Sequence, residues 1–164
     1  MIIINKSGHL TYKNLEFKCT LGKAGINVKK KEGDNITPLG TYKISKVYYR
    51  KDRIKKLFSK LKLIEIKKSM AWCDDSKSKN YNKLIKLPSK FSHEKLFRKD
   101  KIYDLIIPLN YNTQNIKKNK GSAIFIHVAN KKFTPTKGCI ALKKEDLIYL
   151  IKNIQNNKIK ILKN

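Results

Sequence analysis

The chain has 164 residues and carries 39 Lys and Arg against 12 Asp and Glu, a formal net charge of +27 spread from Lys6 to Lys163. That length accommodates one domain, residues 1–164, and a field of that sign attracts anionic partners such as acidic wall polymers, nucleic acid or a membrane surface. No apolar run approaches the roughly 20 residues that a membrane span requires, and with only Arg50, Arg53 and Arg98 as arginines no specific nucleic-acid binding is expected.

The opening 1-MIIINKSGHLTYK-13 reads as a first strand, and no signal peptide is visible in it. Residues 9-HLTYKNLEFKCTLG-22 alternate, with Leu15, Phe17, Cys19 and Leu21 on one face and a tight turn at Lys13-Asn14, which predicts a hairpin. The segment 29-KKKEGDNITPLG-40 is turn-rich and charged, and 41-TYKISKVYYR-50 returns to strand composition. Residues 53-RIKKLFSKLKLIEI-66 place Ile54, Leu57, Phe58 and Leu61 roughly at helical spacing but end β-branched, so helix and strand both stay open.

From Met70 to Asp100 polar and aromatic residues crowd together without clear periodicity, a length that implies either a functional segment or hidden regular structure. Buried strands follow at 103-YDLIIPL-109 and 123-AIFIHV-128. In 145-EDLIYLIKNI-154, Leu147, Leu150, Ile151 and Ile154 fall at i, i+3, i+4, i+7, an amphipathic helix with its acids in the first turn; 158-KIKILK-163 closes the chain as a short strand. The predicted architecture is mainly β, with a mixed or antiparallel sheet and one late helix.

Two residues in this pattern bear chemistry. Alternation in AIFIHV puts Ala123, Phe125 and His127 on one face and Ile124, Ile126 and Val128 on the other. A loop then leads to 137-KGCIAL-142, where Gly138 lets the backbone bend and lets a substrate carbonyl come close. A thiol is a strong nucleophile only as thiolate, and a neighbouring imidazole lowers its pKa and shuttles its proton. Standing alone, His127 reads as a satisfied core histidine and Cys139 as a small buried hydrophobe, which is also the reading of Cys19 and Cys73. The three cysteines show no CxxC or Cys/His spacing, so neither a disulfide framework nor a zinc site is indicated, and no metal or cofactor is expected.

The string 127-HVANKKFTPTKGCIAL-142, a histidine followed by the Ser/Thr-x-Gly-Cys box 136-TKGC-139, resembles the signature of the YkuD-type L,D-transpeptidase catalytic domain. The resemblance extends through 22-GKAGINVKKKEGDNITPLGTYKI-44, 72-WCDDSKSKNYNK-83, 92-SHEKLFRKDKIYDLIIPLNYN-112 and 121-GSAIFIHVA-129, which look like the compact single-domain bacterial branch. Lys137 stands where a histidine is often found, and Ala141 where an arginine or asparagine is often found.

The resemblance implies a β-sandwich-like catalytic domain with a short helix after the cysteine. It also implies that Cys139 is the nucleophile, His127 its base and later its acid, and that the Gly138 and Cys139 amides form much of an oxyanion hole, with Thr136 orienting the loop. Its implied substrates are peptidoglycan stem peptides and its implied location the periplasm or cell envelope.

For a stem-peptide groove the candidates are Trp72, Asp74, Tyr81, Asn82, Arg98 and Tyr103, which combine aromatics with fixed charge; Arg98 suits a stem carboxylate, and Asp74 or Asp75 an amine. The competing reading makes Asp74 and Arg98 an internal ion pair and Trp72 a core cap. His9 and His93 read as surface or capping residues. The expected activity is cysteine-dependent L,D-transpeptidation of stem peptides. The alternatives are L,D-carboxypeptidase or endopeptidase action on the same stems, hydrolysis of ordinary peptides, and a basic non-enzymatic module that holds anionic polymer.

Overall fold

The structure is a computed structural model that describes residues 1–163. Its first strands are β1 (Ile2–Ile4), β2 (His9–Tyr12) and β3 (Leu15–Thr20), the last two joined by the expected two-residue turn, in which Lys13 takes φ +54. β4 (Ile26–Asn27) and β5 (Thr37–Pro38) pair as a small parallel ribbon that brackets the charged segment 29–36. There follow β6 (Gly40–Lys43), β7 (Lys46–Tyr49), β8 (Lys62–Glu65), β9 (Met70–Cys73), β10 (Leu84–Lys86) and β11 (His93–Lys95). A 3-10 turn (Ile102–Asp104) leads into β12 (Leu105–Pro108), and then come β13 (Phe125–Val128), β14 (Ile140–Leu142), α1 (Lys144–Asn153) and β15 (Lys158–Ile161).

Ten strands make one mixed sheet in the order β6-β15-β1-β2-β3-β14-β13-β12-β7-β8. The pairs β1/β15, β13/β14 and β7/β8 are parallel and the others antiparallel. The sheet curls about a single large core, because residues from widely separated strands share it: Ile2 and Ile159 from one end, Val47 and Leu105 from the other, Ile126 from the middle. Leu147, Leu150 and Ile151 of α1 and the following Ile154 bury the predicted helical face in that core.

The two faces of β13 divide as the alternation predicts. Ile124, Ile126 and Val128 enter the large core, and Phe125 enters a second cluster with Trp72, Leu96, Tyr103 and Ile106. Burial on both faces requires an almost wholly apolar strand, so His127 is the costly exception in it.

Two stretches resolve what the sequence left open. Residues 51–61 form turns rather than helix, and the β-branched end forms β8, parallel to β7. Ile54 and Leu57 are buried, but Phe58 is 70% exposed, since the chain is drawn out to reach α1, where Ser59 Oγ donates to the Ile151 carbonyl at 3.0 Å. The 70–100 stretch contains a three-stranded antiparallel sheet, β10-β9-β11. Strands of three or four residues separated by Lys- and Ser-rich turns are too short to display a period. Cys19 and Cys73 are both buried, and no helix among the described residues is long and apolar enough to cross a membrane.

Candidate active site

The crossover from β13 to β14 brings His127 and Cys139 to one cavity. The strands are parallel neighbours, with Ile126 opposite Ile140 and His127 opposite Ala141, so residues 129–139 leave β13 and must return beside its start. Both side chains line a cavity of about 750 Å³.

The returning loop is fixed by hydrogen bonds. Thr136 N–H donates to Leu21 O at 2.8 Å, and Thr136 O accepts Lys23 N–H at 2.9 Å, which ties it to Gly22. The Thr136 hydroxyl donates to Cys139 O at 2.6 Å and accepts Gly138 N–H at 3.1 Å, closing the turn around Cys139. Gly138 takes φ +131, and a Cβ there would stand 2.8 Å from Ile36 O. The sequence reading put the Gly138 amide in an oxyanion hole, but that N–H is already taken by Thr136. The Cys139 N–H, in contrast, has no protein acceptor among the described residues and is the amide available to an oxyanion.

The thiol of Cys139 donates to Ala123 O at 3.2 Å and accepts Phe125 N–H at 3.4 Å. Ala123 adopts φ +52 and donates its N–H to Asn82 Oδ1 at 3.1 Å. His127 is held by Val128 O, 2.9 Å from Nδ1, which makes Nδ1 the donor and leaves the Nε2 lone pair free. Nε2 has no protein partner among the described residues and is not sealed from solvent, so it opens on the cavity. The Tyr103 ring packs edge-on against the imidazole, with centroids 5.5 Å apart.

Electrostatics keep the pair neutral at rest. Burial pushes the Cys139 thiol up to about 12, the Glu94 carboxylate adding to the rise while Phe125 N–H and Lys29 oppose it. Burial pulls His127 down to about 4 against the raising effect of its Val128 hydrogen bond. The expected imidazole-activated, low-pKa thiol is not what these shifts favour: a resting thiolate–imidazolium pair would place two charges in a pocket where water has only restricted access.

The groove candidates separate into two groups. Asp74, Arg98, Tyr103 and Thr136 line the cavity, and Trp72, Tyr81 and Asn82 do not. Trp72 packs edge-on against Phe125 at 5.2 Å and donates Nε1–H to Asn82 at 3.0 Å, which makes it a core residue. Asn82 spends all its capacity internally, its Nδ2 donating to Tyr111 O at 3.0 Å and Asn112 O at 2.8 Å. Tyr81 is 1% exposed and bonds Glu32 and Gly121 N–H. The Asp74–Arg98 pair does not form. Arg98 holds Asp100 at 2.6 Å with its guanidinium over Tyr103, and Asp74 accepts from Ser92 Oγ at 2.6 Å.

Sequence reasoning missed Lys29, Glu32, His93 and Glu94, all of which line the cavity. Lys29 is buried and paired with Asp34 at 2.5 Å. His93 and Glu94 belong to β11, and their signals were that they fell inside the aperiodic 70–100 stretch and in the 92–112 block of the family resemblance.

Two solved structures share the fold. The Pgp2 protein of Campylobacter jejuni, described as helical cell shape determining, aligns with a TM-score of 0.51 at 17% identity over 99% of this chain and 46% of its own. Bd1075 of Bdellovibrio bacteriovorus aligns with a TM-score of 0.52 at 15% identity over 99% and 47%. The chain thus spans about half the length of either. No curated protein matches the sequence. The family match is to YkuD, the L,D-transpeptidase catalytic domain, over residues 1–161, and the chain belongs to that family.

Proposed function

We propose that this chain is a cysteine-dependent L,D-transpeptidase of peptidoglycan stem peptides. The observation that carries the reading is the convergence of Cys139 and His127 on one cavity with the imidazole tautomer already fixed and Nε2 open. In the first half-reaction the thiol exchanges its Ala123 acceptor for His127 Nε2. Nε2 takes the proton as Sγ attacks the stem carbonyl, and Cys139 N–H meets the developing oxyanion. The imidazolium protonates the departing amine as the C–N bond breaks, leaving a Cys139 thioester.

The amine of a neighbouring stem then attacks the thioester, His127 accepts its proton, and the thiol is restored as the new amide forms. Water in place of that amine gives L,D-carboxypeptidase or endopeptidase products from the same site. Neutral resting partners suit this order of events, because proton transfer accompanies attack rather than preceding it. The net charge of +27 would hold the protein on acidic wall polymers, an attraction that salt weakens.

The test is mass spectrometry of disaccharide-tetrapeptide muropeptides incubated with the wild type and with Cys139→Ala. Cross-linked dimers formed by the wild type alone support transfer, and shortened monomers alone move the assignment to hydrolysis. If muropeptides are unchanged by a folded wild type, the enzymatic reading fails and a basic binding module takes its place.

A further inference from the structure

Three acids line the cavity without an ion pair among the described residues: Glu32, which accepts from Tyr81 and Ser122, Asp74, which accepts from Ser92, and Glu94, whose hydroxyl partner Tyr103 also packs on His127. In a chain where basic residues outnumber acids 39 to 12, ion pairing is cheap to arrange, and yet Glu94 forms no ion pair among the described residues. Of the four lysine and arginine side chains that line the cavity, Lys29 is bound by Asp34 and Arg98 by Asp100, neither acid lining the cavity, while Lys95 and Lys137 reach no carboxylate among the described residues; Arg98 and Lys137 act on Glu94 only at longer range. Among the described residues the one hydrogen-bond partner of the Glu94 carboxylate is Tyr103, whose hydroxyl donates to Oε1 at 2.6 Å. Oε2 has no donor and is not sealed in, so it faces the cavity with its acceptor capacity unused.

The position of Glu94 is as firmly set as that of the nucleophile. It lies opposite Trp72 in the β9/β11 pair, and Trp72 packs on Phe125. Tyr103 packs edge-on against Phe125 and His127 alike, so one aromatic cluster fixes both the imidazole and the hydroxyl that grips Glu94. Burial pushes the Glu94 carboxyl above its ordinary range, a desolvation cost that an arriving cation would offset.

We infer that Glu94 is a specificity-determining residue that receives a substrate ammonium group through Oε2 while the Tyr103 hydroxyl holds Oε1. The inference rests on the transpeptidase reading of the site and names what that site selects: a stem peptide bearing an unmodified side-chain amine, as on a diamino acid. The same ammonium chemistry could come from the donor stem or from the acceptor amine; here the donor is taken as the source, and the experiment separates the two.

The experiment compares a tetrapeptide donor carrying a free side-chain amine with the same peptide N-acetylated there. Binding is read by calorimetry on Cys139→Ala protein with and without Glu94→Gln, and thioester formation is read by intact mass with Cys139 present. With Glu94 the free-amine donor should bind about tenfold more tightly than its acetylated form, and Glu94→Gln should erase that preference. Glu94→Asp should restore part of it.

Equal binding of the two peptides by protein containing Glu94 overturns the inference, and needs no folded variant. A preference that persists in Glu94→Gln also overturns it. A preference seen only when an acceptor amine is added to preformed thioester assigns the ammonium to the acceptor and overturns the donor assignment. If binding shows the preference but no thioester forms, the transpeptidase reading fails and the ammonium site stands.

Discussion

His127 Nδ1 lies 2.9 Å from the carbonyl oxygen of Val128, the next residue in the chain. A histidine held by its own neighbour needs no distant partner to choose its tautomer, so the proposed base is set as soon as β13 forms. Burial then keeps the ring neutral by pulling its pKa to about 4 and keeps the Cys139 thiol protonated by pushing it to about 12.

Resting neutrality has a kinetic signature. Iodoacetamide should alkylate Cys139 at pH 7.5 at least about tenfold more slowly than a free cysteine, because so little thiolate exists, and the rate should still be climbing at pH 10. Turnover should keep its acid limb near pH 4, where Nε2 is protonated and can no longer accept the thiol proton. A fast alkylation plateau near pH 6 would show a preformed thiolate–imidazolium pair and would discard the neutral-pair mechanism.

The same shift links folding to pH. The folded pKa of His127 lies below its ordinary 6.5, so between about pH 6.5 and 4 the unfolded chain binds a proton that the folded one does not. Stability should fall as pH drops through that window, by on the order of 3 kcal/mol from this residue. Asp34 acts lower down. Burial resists its ionisation, but Lys29 and the N–H groups of Ile36, Lys30 and Lys31 outweigh that and bring it to about 2, so its contribution is lost from about pH 4 downward. Urea unfolding at pH 7, 5.5 and 4.5 should show a smaller decline in His127→Phe than in the wild type. Identical declines would place the cause elsewhere.

Thr136 ties together the loop that carries Cys139, the proposed nucleophile, with one hydroxyl serving Gly138 N–H and Cys139 O. Thr136→Val keeps the shape but strands a donor and an acceptor, at a cost of about 1–3 kcal/mol in stability. It should also release Gly138 N–H and misplace Cys139, lowering kcat/KM by about 10- to 100-fold with the larger share in kcat. Thr136→Ser should recover most of both. A Val variant with normal kcat would show that the loop is held adequately by the Leu21 and Lys23 backbone contacts alone.

The hairpin, the two-faced β13, α1 and the approach of Cys139 and His127 to one cavity were legible because each is encoded locally, by period, turn chemistry or a compact motif. Glu94 and Lys29 were not. Their roles depend on pairing between strands far apart in sequence and on which lysine finds which carboxylate, and with 39 basic residues composition offers no guide. Trp72, Tyr81 and Asn82 misled for a related reason. Aromatic and amide side chains suit a groove or a buried hydrogen-bonded hub equally well, and only the Trp72–Asn82–Ala123 chain of contacts shows which they form.

Gly138 and Gly33 offer a controlled comparison, since both have positive φ, +131 and +72, but only Gly138 is crowded. A methyl group at Gly33 meets open space, so Gly33→Ala should cost only the backbone strain, about 1 kcal/mol. A methyl group at Gly138 would press to 2.8 Å on the backbone oxygen of Ile36, which cannot retreat easily because Ile36 N–H is fastened to Asp34 at 3.1 Å. Gly138→Ala should therefore cost roughly 2–4 kcal/mol and lower Tm by about 5–15 °C. The protein that remains folded should form thioester slowly, because the strain is relieved by moving Cys139. If differential scanning calorimetry finds the two alanine variants equally stable, the close approach of strap 29–36 to the nucleophile loop does not constrain Cys139.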